Sequence, residues 1–300
     1  MGFLNAFRES KTGAPRDLET IIRSGKRKLF GLDSQSSEPL LSGDSFKYRM
    51  PYIFEGMNKL VTADFQELHE KETSIFVQAG PMSRAAFDIL TACENGINFQ
   101  KAKLYIHNGD EIPTSTQMFQ LVKNFSSVSS VNWLGDSNVV RPLPIGLENR
   151  DKRRNGVPGD YLEPQKKGLP SFAEREIQLL VCFSLHTNRA EREPAWNAGI
   201  KVPGALVVDQ PITPKKYREL VLNSKFVLSP PGNGPDCHRT WEAMYLGAIP
   251  VVKESSWPFR HLNLPVQIVP NWDSLDLTIP KFTDEFLADW ESIDYWLSDQ

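Results

Sequence analysis

The stretch of the chain most typical of a functional site runs from residue 226 to residue 252. It combines an apolar strand, the loop Gly232-Asn233-Gly234, a helical segment and a second apolar strand. Glycines let a ligand approach the main chain closely, and the N–H groups at the start of a helix attract phosphate. The pattern therefore predicts that this loop and the following helix bind a phosphorylated ligand.

Arg239 and Glu242, three residues apart on the predicted helix, supply the charged groups of this site. An arginine in the first turn adds to the positive end of the helix dipole, and local conflicts of this kind are common at functional sites. We expect Arg239 to contact a diphosphate and Glu242 to accept hydrogen bonds from the two hydroxyls of a ribose. The alternative is an intrahelical ion pair between them on the protein surface. Asp236 is the expected N-cap of the helix.

Apolar runs of strand length alternate with helical segments on both sides of this stretch, which indicates parallel strands covered on both faces. In the second half the predicted strands span 177–184, 205–208, 226–229, 249–252 and 266–269, and the helices 189–197, 214–222, 236–246 and 284–297. In the first half the predicted strands span 74–80, 103–107, 131–135 and 139–145, and the helices 17–29, 84–95 and 116–124. We therefore predict a two-domain α/β protein whose ligands bind at the carboxyl ends of the strands and in the cleft between the domains.

Composition divides the chain into four parts. Residues 1–50 are mixed and include a serine-rich polar stretch, which is typical of an N-terminal arm or a loosely packed loop. Residues 51–150 form the first predicted α/β domain, and residues 177–300 form the second. The hydrophilic stretch 151–176 between them contains glycine, proline and a cluster of basic residues, and it is the predicted linker.

Charge and cysteine content argue against several classes of protein. Lys and Arg number 34 against 37 Asp and Glu, a net charge of −3, so no overall positive field is available to hold a nucleic acid. The three cysteines form no Cys-x-x-Cys pair, which favours a reducing compartment over a disulfide framework or a zinc site. No apolar run approaches the ~20 residues that cross a bilayer, and the apolar run in the first residues is too short to predict a signal peptide. We expect a cytoplasmic protein without stable membrane insertion.

The stretch described first resembles the C-terminal signature of exostosin-like glycosyltransferases. In that signature an apolar strand and a Pro-x-Gly loop lead to Arg-x-x-Glu-Ala and then to Gly-x-Ile-Pro-Val-Val. The corresponding residues here are Pro230-Pro231-Gly232, 239–243 and 247–252. The helix and the serine-phenylalanine pair upstream, and Trp257-Pro258-Phe259 downstream, extend the close resemblance over 217–259.

The resemblance implies a GT-B-like transferase, with two Rossmann-like domains whose parallel sheets face a central cleft. It implies that 177–300 bind a nucleoside-diphosphate sugar and that 51–150 bind the acceptor, a glycan or a lipid-linked precursor. We expect a UDP-sugar rather than a GDP-sugar as donor. By position, Arg239 resembles the phosphate-contacting arginine of the family and Glu242 its ribose-contacting glutamate, and Gly232, Asn233 and Gly234 form the donor loop.

The family has a further phosphate-facing basic residue at the end of the first strand of its C-terminal domain. Arg189 and Arg192 both occupy a suitable position in this sequence. The alternative for either of them is a surface ion pair with Glu191 or Glu193. Eukaryotic family members are usually anchored in the Golgi membrane, so the anchorless protein that we expect here departs from the family pattern.

Sugar transfer with inversion, which the family implies, needs a base for the acceptor hydroxyl and positive charge for the departing diphosphate. His107 and Asp110 follow a predicted strand, and Glu148 lies just before the linker, so all three are candidates for the base. The alternatives are a turn capped by Asp110 and a hinge contact of Glu148. The sequence contains no Asp-x-Asp, the metal motif of the other transferase fold, so we expect no essential metal and no cofactor besides the nucleotide-sugar substrate.

Two other functions deserve a test. A non-catalytic module that binds nucleotides or glycans would retain the fold and the donor loop but lack the base. An oxidoreductase with a dinucleotide-binding fold is disfavoured, because no Gly-x-Gly-x-x-Gly follows a first strand and Gly232-Asn233-Gly234 lacks the third glycine.

Overall fold

A computed structural model describes residues 36–55, 68–69, 71–79, 84–111, 114–150, 156–277 and 289–298 of the protein. Its strands are β1 (Tyr52–Phe54), β2 (Thr73–Gln78), β3 (Phe99–His107), β4 (Phe125–Val131), β5 (Arg141–Leu143), β6 (Ile177–Val181), β7 (Ala205–Val207), β8 (Ser224–Leu228), β9 (Ile249–Lys253) and β10 (Gln267–Val269). Its α-helices are α1 (Gly43–Lys47), α2 (Arg84–Glu94), α3 (Ser115–Asn124), α4 (Gly159–Lys167), α5 (Arg189–Gly199), α6 (Pro214–Leu222), α7 (His238–Tyr245) and α8 (Ile293–Leu297). The helix expected over 17–29 lies outside the described residues. The helix expected over 284–297 was predicted to start too early, because residues 289–291 form a turn and α8 begins at Ile293.

The strands form two five-stranded sheets in which every neighbouring pair is parallel. The first sheet has the order β1-β2-β3-β4-β5, and the second has the order β10-β9-β8-β6-β7. This confirms the predicted fold class, a mixed α/β protein with the two Rossmann-like parallel sheets of a GT-B-like arrangement. The order of the second sheet reverses between β6 and β8, and α/β proteins bind ligands beside such a reversal.

Helix starts carry the expected capping residues. The side chain of Thr213 accepts a hydrogen bond from the backbone of Lys216, and Pro214 occupies the first turn of α6. Asn188 caps α5 in the same way. In α3, Thr114 and Gln117 form a capping box. These local signals explain why the predicted bounds of the helices agree closely with the observed ones.

The two faces of the first sheet pack against different cores. Ile75 and Leu104 point to the outer face, where they join a cluster with residues of α2 and α3. Phe76 and Tyr105 alternate with them and point to the inner face. There they belong to a single core that continues into the second half of the chain and includes Trp241. The halves are thus joined by shared apolar packing beneath the carboxyl edges of the sheets.

Residues 36–50 are not the loosely packed arm that the sequence suggested. Leu41 and Phe46 are fully buried in the shared core, and the backbone N–H of Leu41 donates to the Tyr245 hydroxyl at 2.9 Å. The polar composition misled the prediction because the buried side chains of Ser42 and Ser45 bond to each other and to main-chain groups. Ser45, for example, donates to the Leu40 carbonyl at 2.7 Å.

The expected linker also contains packed structure. Helix α4 buries Tyr161 in the shared core. Arg175 is 2 % exposed and donates to the carbonyl oxygens of Pro170, Ser224 and Leu246. These bonds satisfy a charged side chain whose burial would otherwise be costly. Residues 156–176 therefore form part of the second half.

One strand was placed too late in the sequence. The prediction assigned a strand to 131–135, whereas β4 spans Phe125–Val131 and residues 132–135 form a turn. The four serines of β4 obscured its strand pattern. Ser126 and Ser127 are exposed, whereas Ser129 and Ser130, which pair with β5, are buried. None of the helices within the described ranges is long and apolar enough to span a bilayer.

Candidate functional site

The reversal in the second sheet brings two loops together beyond the carboxyl ends of β6 and β8. The first loop follows Val181 and leads into α5, and the second contains Gly232 and leads into α7. Phe183 lies at the centre of this region, with its ring 5.5 Å from the guanidinium carbon of Arg239 and 5.9 Å from that of Arg192. The topology thus brings together side chains that are 47 residues apart in sequence.

Arg192 and Arg239 are held by main-chain carbonyls rather than by carboxylates. Nε of Arg192 donates to the Pro231 carbonyl at 2.9 Å and its Nη1 to the Ser184 carbonyl at 2.6 Å. Nε of Arg239 donates to the Cys182 carbonyl at 3.2 Å. Among the described residues, neither guanidinium forms an ion pair, and the Nη2 group of each has no hydrogen-bond acceptor. Burial and then the charge of Arg239 lower the pKa of Arg192.

The glycines of the donor loop make close contacts possible. A Cβ atom on Gly232 would lie 3.2 Å from Nη2 of Arg192. A Cβ atom on Gly234 would lie 2.4 Å from Nδ2 of Asn132, which belongs to the first half of the chain. Gly232 therefore leaves room for a guanidinium, whereas Gly234 lets the loop pack against the first half. The amide of Asn233 reaches further and donates to Oδ2 of Asp110 at 3.0 Å.

Asp236 is not the N-cap of α7, so that prediction is wrong. Its carboxylate accepts hydrogen bonds from the Ile145 backbone at 2.8 Å and from Nε1 of Trp241 at 2.9 Å. Burial raises the pKa of Asp236 to about 7. The N-cap is Cys237, which makes no capping bond through its side chain. In the described part of the chain the backbone N–H groups of His238 and Arg239 find no acceptor, so they can bind a ligand.

Glu242 is a buried carboxylate on α7, three residues after Arg239. It is only 4 % exposed, and no described residue donates a hydrogen bond to it. Burial raises the pKa of its carboxyl group, and the charges of His238 and Arg239 oppose that shift. The hydroxyls of Tyr161 and Tyr217 also lack hydrogen-bond partners. Burial raises the pKa of both tyrosines, and the negative charge of Glu242 raises it further. Three polar groups thus retain hydrogen-bonding capacity that proteins rarely leave unused.

The three candidates for the base have different surroundings. His107 is fully buried, with Nε2 donating to the Pro144 carbonyl at 2.9 Å and Nδ1 accepting from the Asn108 backbone at 2.7 Å. Burial lowers the pKa of His107 to about 4, and neither ring nitrogen is available to a substrate. Asp110 is exposed and contacts the donor loop through Asn233. Glu148 is half-buried. Its charge raises the pKa of Glu242, an effect smaller than those of burial and of the opposing charges of His238 and Arg239.

Arg189 forms an ion pair on the protein surface, which was the alternative to a role in donor binding. Its side chain is 73 % exposed and pairs with Glu193 at 3.0 Å. The neighbouring Glu191 pairs with Lys253, at the end of β9, at 2.5 Å. Of the two arginines proposed for this loop, only Arg192 points into the region beside Arg239.

Sequence reasoning missed four residues of this region. Asn132, Tyr161, Tyr217 and His238 all contact or face the residues described above. His238 had a usable signal, because it precedes Arg239 and lies four residues before Glu242 on the same helix face. The tyrosines and Asn132 had none, because only the folded chain brings them to α7.

Comparison with known proteins adds an independent observation. No curated protein sequence matches the chain. Residues 205–282 match the family model of the RXYLT1 C-terminal domain. The matched stretch contains the donor loop, Arg239 and Glu242, but not Arg192. Over this stretch the chain is similar to an exostosin-like xylosyltransferase family.

Proposed function

We propose that the protein is a glycosyltransferase that moves a sugar from a nucleoside-diphosphate sugar to a glycan or lipid-linked acceptor. The observation that carries this proposal is the pair Arg192 and Arg239, two guanidinium groups at the reversal of the sheet without a carboxylate partner in the described structure. Two neighbouring positive charges taken out of water are stable only with a counterion, and a diphosphate supplies two negative charges. The match of 205–282 to a glycosyltransferase family supports the same interpretation.

In this proposal the diphosphate lies against Arg192, Arg239 and the free N–H groups at the start of α7. Both Nη2 groups are available to its oxygens, and the helix dipole adds to the attraction. The same charges stabilise the diphosphate as it leaves with the electron pair of the broken glycosidic bond. We propose that this charge replaces a metal ion, and that the reaction inverts the anomeric carbon.

We further propose that Glu242 accepts hydrogen bonds from the ribose. Its buried carboxylate has no donor among the described residues, and two ribose hydroxyls would satisfy it. The unpartnered hydroxyls of Tyr161 and Tyr217, close enough to feel the charge of Glu242, are further candidates for polar contacts. A UDP-sugar is the first candidate donor.

Nucleotide binding tests the proposal directly. We expect UDP at a hundredfold excess over its Kd to raise the melting temperature by about 5 °C. Arg239→Gln and Arg192→Gln should each abolish most of this shift. Arg189→Gln is the matched control, because it removes an exposed arginine of the same region, and it should leave the shift unchanged. No shift with UDP, GDP, UDP-xylose, UDP-glucose or GDP-mannose would contradict the proposal.

A non-catalytic nucleotide- or glycan-binding module is the second candidate. The observation that favours it is the occupation of both ring nitrogens of His107, which leaves that residue without a lone pair for catalysis. Release of UDP from UDP-sugars distinguishes the two functions. A module would bind the nucleotide without consuming the donor, whereas a transferase would also hydrolyse it slowly in the absence of an acceptor.

A further inference from the structure

His238 is a titratable side chain beside the donor loop that the proposed function has not yet used. It is the first residue of α7, half-buried, and lies where that helix meets the first half of the chain. We propose that Nε2 of His238 is the base that takes the proton from the acceptor hydroxyl. This inference rests on the proposed function and adds a catalytic residue to it.

The hydrogen bond of the other ring nitrogen determines the tautomer. Nδ1 of His238 lies 2.8 Å from the Gly146 carbonyl. A carbonyl oxygen only accepts, so Nδ1 carries the hydrogen, and Nε2 of the neutral ring carries a lone pair. No described residue donates to Nε2 or accepts from it. His238 therefore has the free nitrogen that His107 lacks.

The carbonyl that orients His238 is itself fixed. Gly146 has a φ of +64°, and a Cβ atom there would lie 2.2 Å from the Leu41 carbonyl oxygen. The next residue, Leu147, donates its backbone N–H to the Leu41 carbonyl at 2.7 Å. A base must be held in one orientation, and the buried segment around Leu41 provides that support.

The position of His238 suits proton transfer between the two halves. The next residue, Arg239, belongs to the proposed diphosphate site. The charge of His238 lowers the pKa of Glu242, which lies four residues further on the same helix. Its hydrogen bond to Gly146 connects it to the first half, two residues before Glu148. A sugar attached to the diphosphate and an acceptor bound to the first half would meet in this region.

The step transfers one proton and exchanges one bond. The acceptor oxygen forms a bond to the anomeric carbon while its proton moves to Nε2 of His238. The bond between the anomeric carbon and the phosphate oxygen breaks, and its electron pair leaves with the nucleoside diphosphate. The imidazolium then returns its proton to solvent, and no oxidant, reductant or metal is required.

Two variants separate the base from the structural role. His238→Asn places an amide nitrogen near the position of Nδ1 and keeps the bond to Gly146, but it has no Nε2. The second variant, His238→Gln, reaches the position of Nε2 without a basic nitrogen. For both we expect kcat for UDP release from UDP-xylose or UDP-glucose to fall at least a hundredfold, with the Kd for UDP within threefold of wild type. Added imidazole should restore part of the activity of His238→Asn.

Each outcome is informative. If either variant folds and retains more than a third of the wild-type kcat, the inference is overturned. It is also overturned if imidazole restores neither variant, because His238 would then be structural, or if wild type binds UDP but releases none from these donors. Absence of UDP binding by wild type is a different result, because it contradicts the proposed function itself.

Discussion

The carboxyl edges of the two sheets use their polar side chains differently. At the first sheet they are satisfied within the protein: His107 bonds through both ring nitrogens, and Asp110 accepts from Asn233. At the second sheet Arg192 and Arg239 have no carboxylate partner in the described structure, and Glu242 has no donor there. Unsatisfied groups are tolerated where a ligand completes them, which supports our proposal that the donor binds at the second edge.

Topology explains the difference. The first sheet follows chain order, so its strand order contains no reversal of the kind that separates neighbouring loops. The second sheet reverses between β6 and β8, and the loops after these strands diverge to opposite faces. The crevice between them is where the two arginines meet.

Residues of the first edge help to hold the donor loop in place. Asn132 adopts a φ of +62° and accepts the backbone N–H of Asp236 at 3.1 Å through its side chain. Its Nδ2 donates to the Asp110 carbonyl at 3.4 Å. Asp236 in turn accepts from the Ile145 backbone. The position of the donor loop therefore depends on residues of the first half.

The largest effect that we predict comes from Asp236, which connects the two edges. Its pKa is about 7 in the folded protein, against an ordinary value of 3.8, so the folded chain binds an extra proton between these pH values. The free energy of unfolding of wild type should therefore fall relative to that of Asp236→Asn, by about 4 kcal/mol, as the pH rises from 4 to 7. Urea denaturation at several pH values measures this difference. A constant difference would show that the carboxyl group titrates normally.

His107, at the first edge, should show the opposite dependence of stability on pH. Its pKa is about 4 in the folded protein, against 6.5 for the free imidazole, so between these values the unfolded chain binds more protons. The stability of wild type should fall relative to that of His107→Gln, by about 3 kcal/mol, as the pH falls from 6.5 to 4. The same urea titrations apply. If His107→Gln binds UDP as tightly as wild type at pH 7, His107 is not part of the nucleotide site.

Much of the fold was predictable because its signals are local. Helix α6 was predicted with its observed bounds, since Thr213 and Pro214 mark its start. The apolar runs of β6, β8 and β9 indicated parallel strands, and all three pair in parallel. Strand β4 failed because its serines are polar in sequence but partly buried in the sheet. Periodicity cannot predict which polar residues the fold will cover.

The candidate site divides in the same way. Arg239 and Glu242 were identifiable because a strand, a glycine loop and a helix place them in one short segment. The bonds of Asp236 to Ile145 and of His107 to Pro144 span 91 and 37 residues, and no local pattern indicates them. The two tyrosine hydroxyls near Glu242 come from α4 and α6 and were likewise invisible before folding.

Glu242→Gln should have a moderate effect that is specific to the ribose. The amide keeps the shape of the side chain but accepts more weakly from hydroxyl groups and carries no charge. We expect UDP to bind about tenfold more weakly, a loss of about 1.4 kcal/mol. Binding of 2′-deoxy-UDP should change much less, because it lacks one of the two hydroxyls. Titration calorimetry with both nucleotides measures the ratio, and equal losses would contradict the assignment of Glu242 to the ribose.

The smallest effect should come from Asp110→Asn. The Asp110 side chain is exposed, and hydrogen bonds of the kind that it makes to Asn233 contribute about 0.5–1.5 kcal/mol. The asparagine oxygen can still accept from Asn233, so UDP affinity and the rate of UDP release should each stay within threefold of wild type. A hundredfold loss of turnover with unchanged UDP binding would instead make Asp110 the base. That result would remove the reason to assign the proton transfer to His238 and would give the first edge a catalytic role.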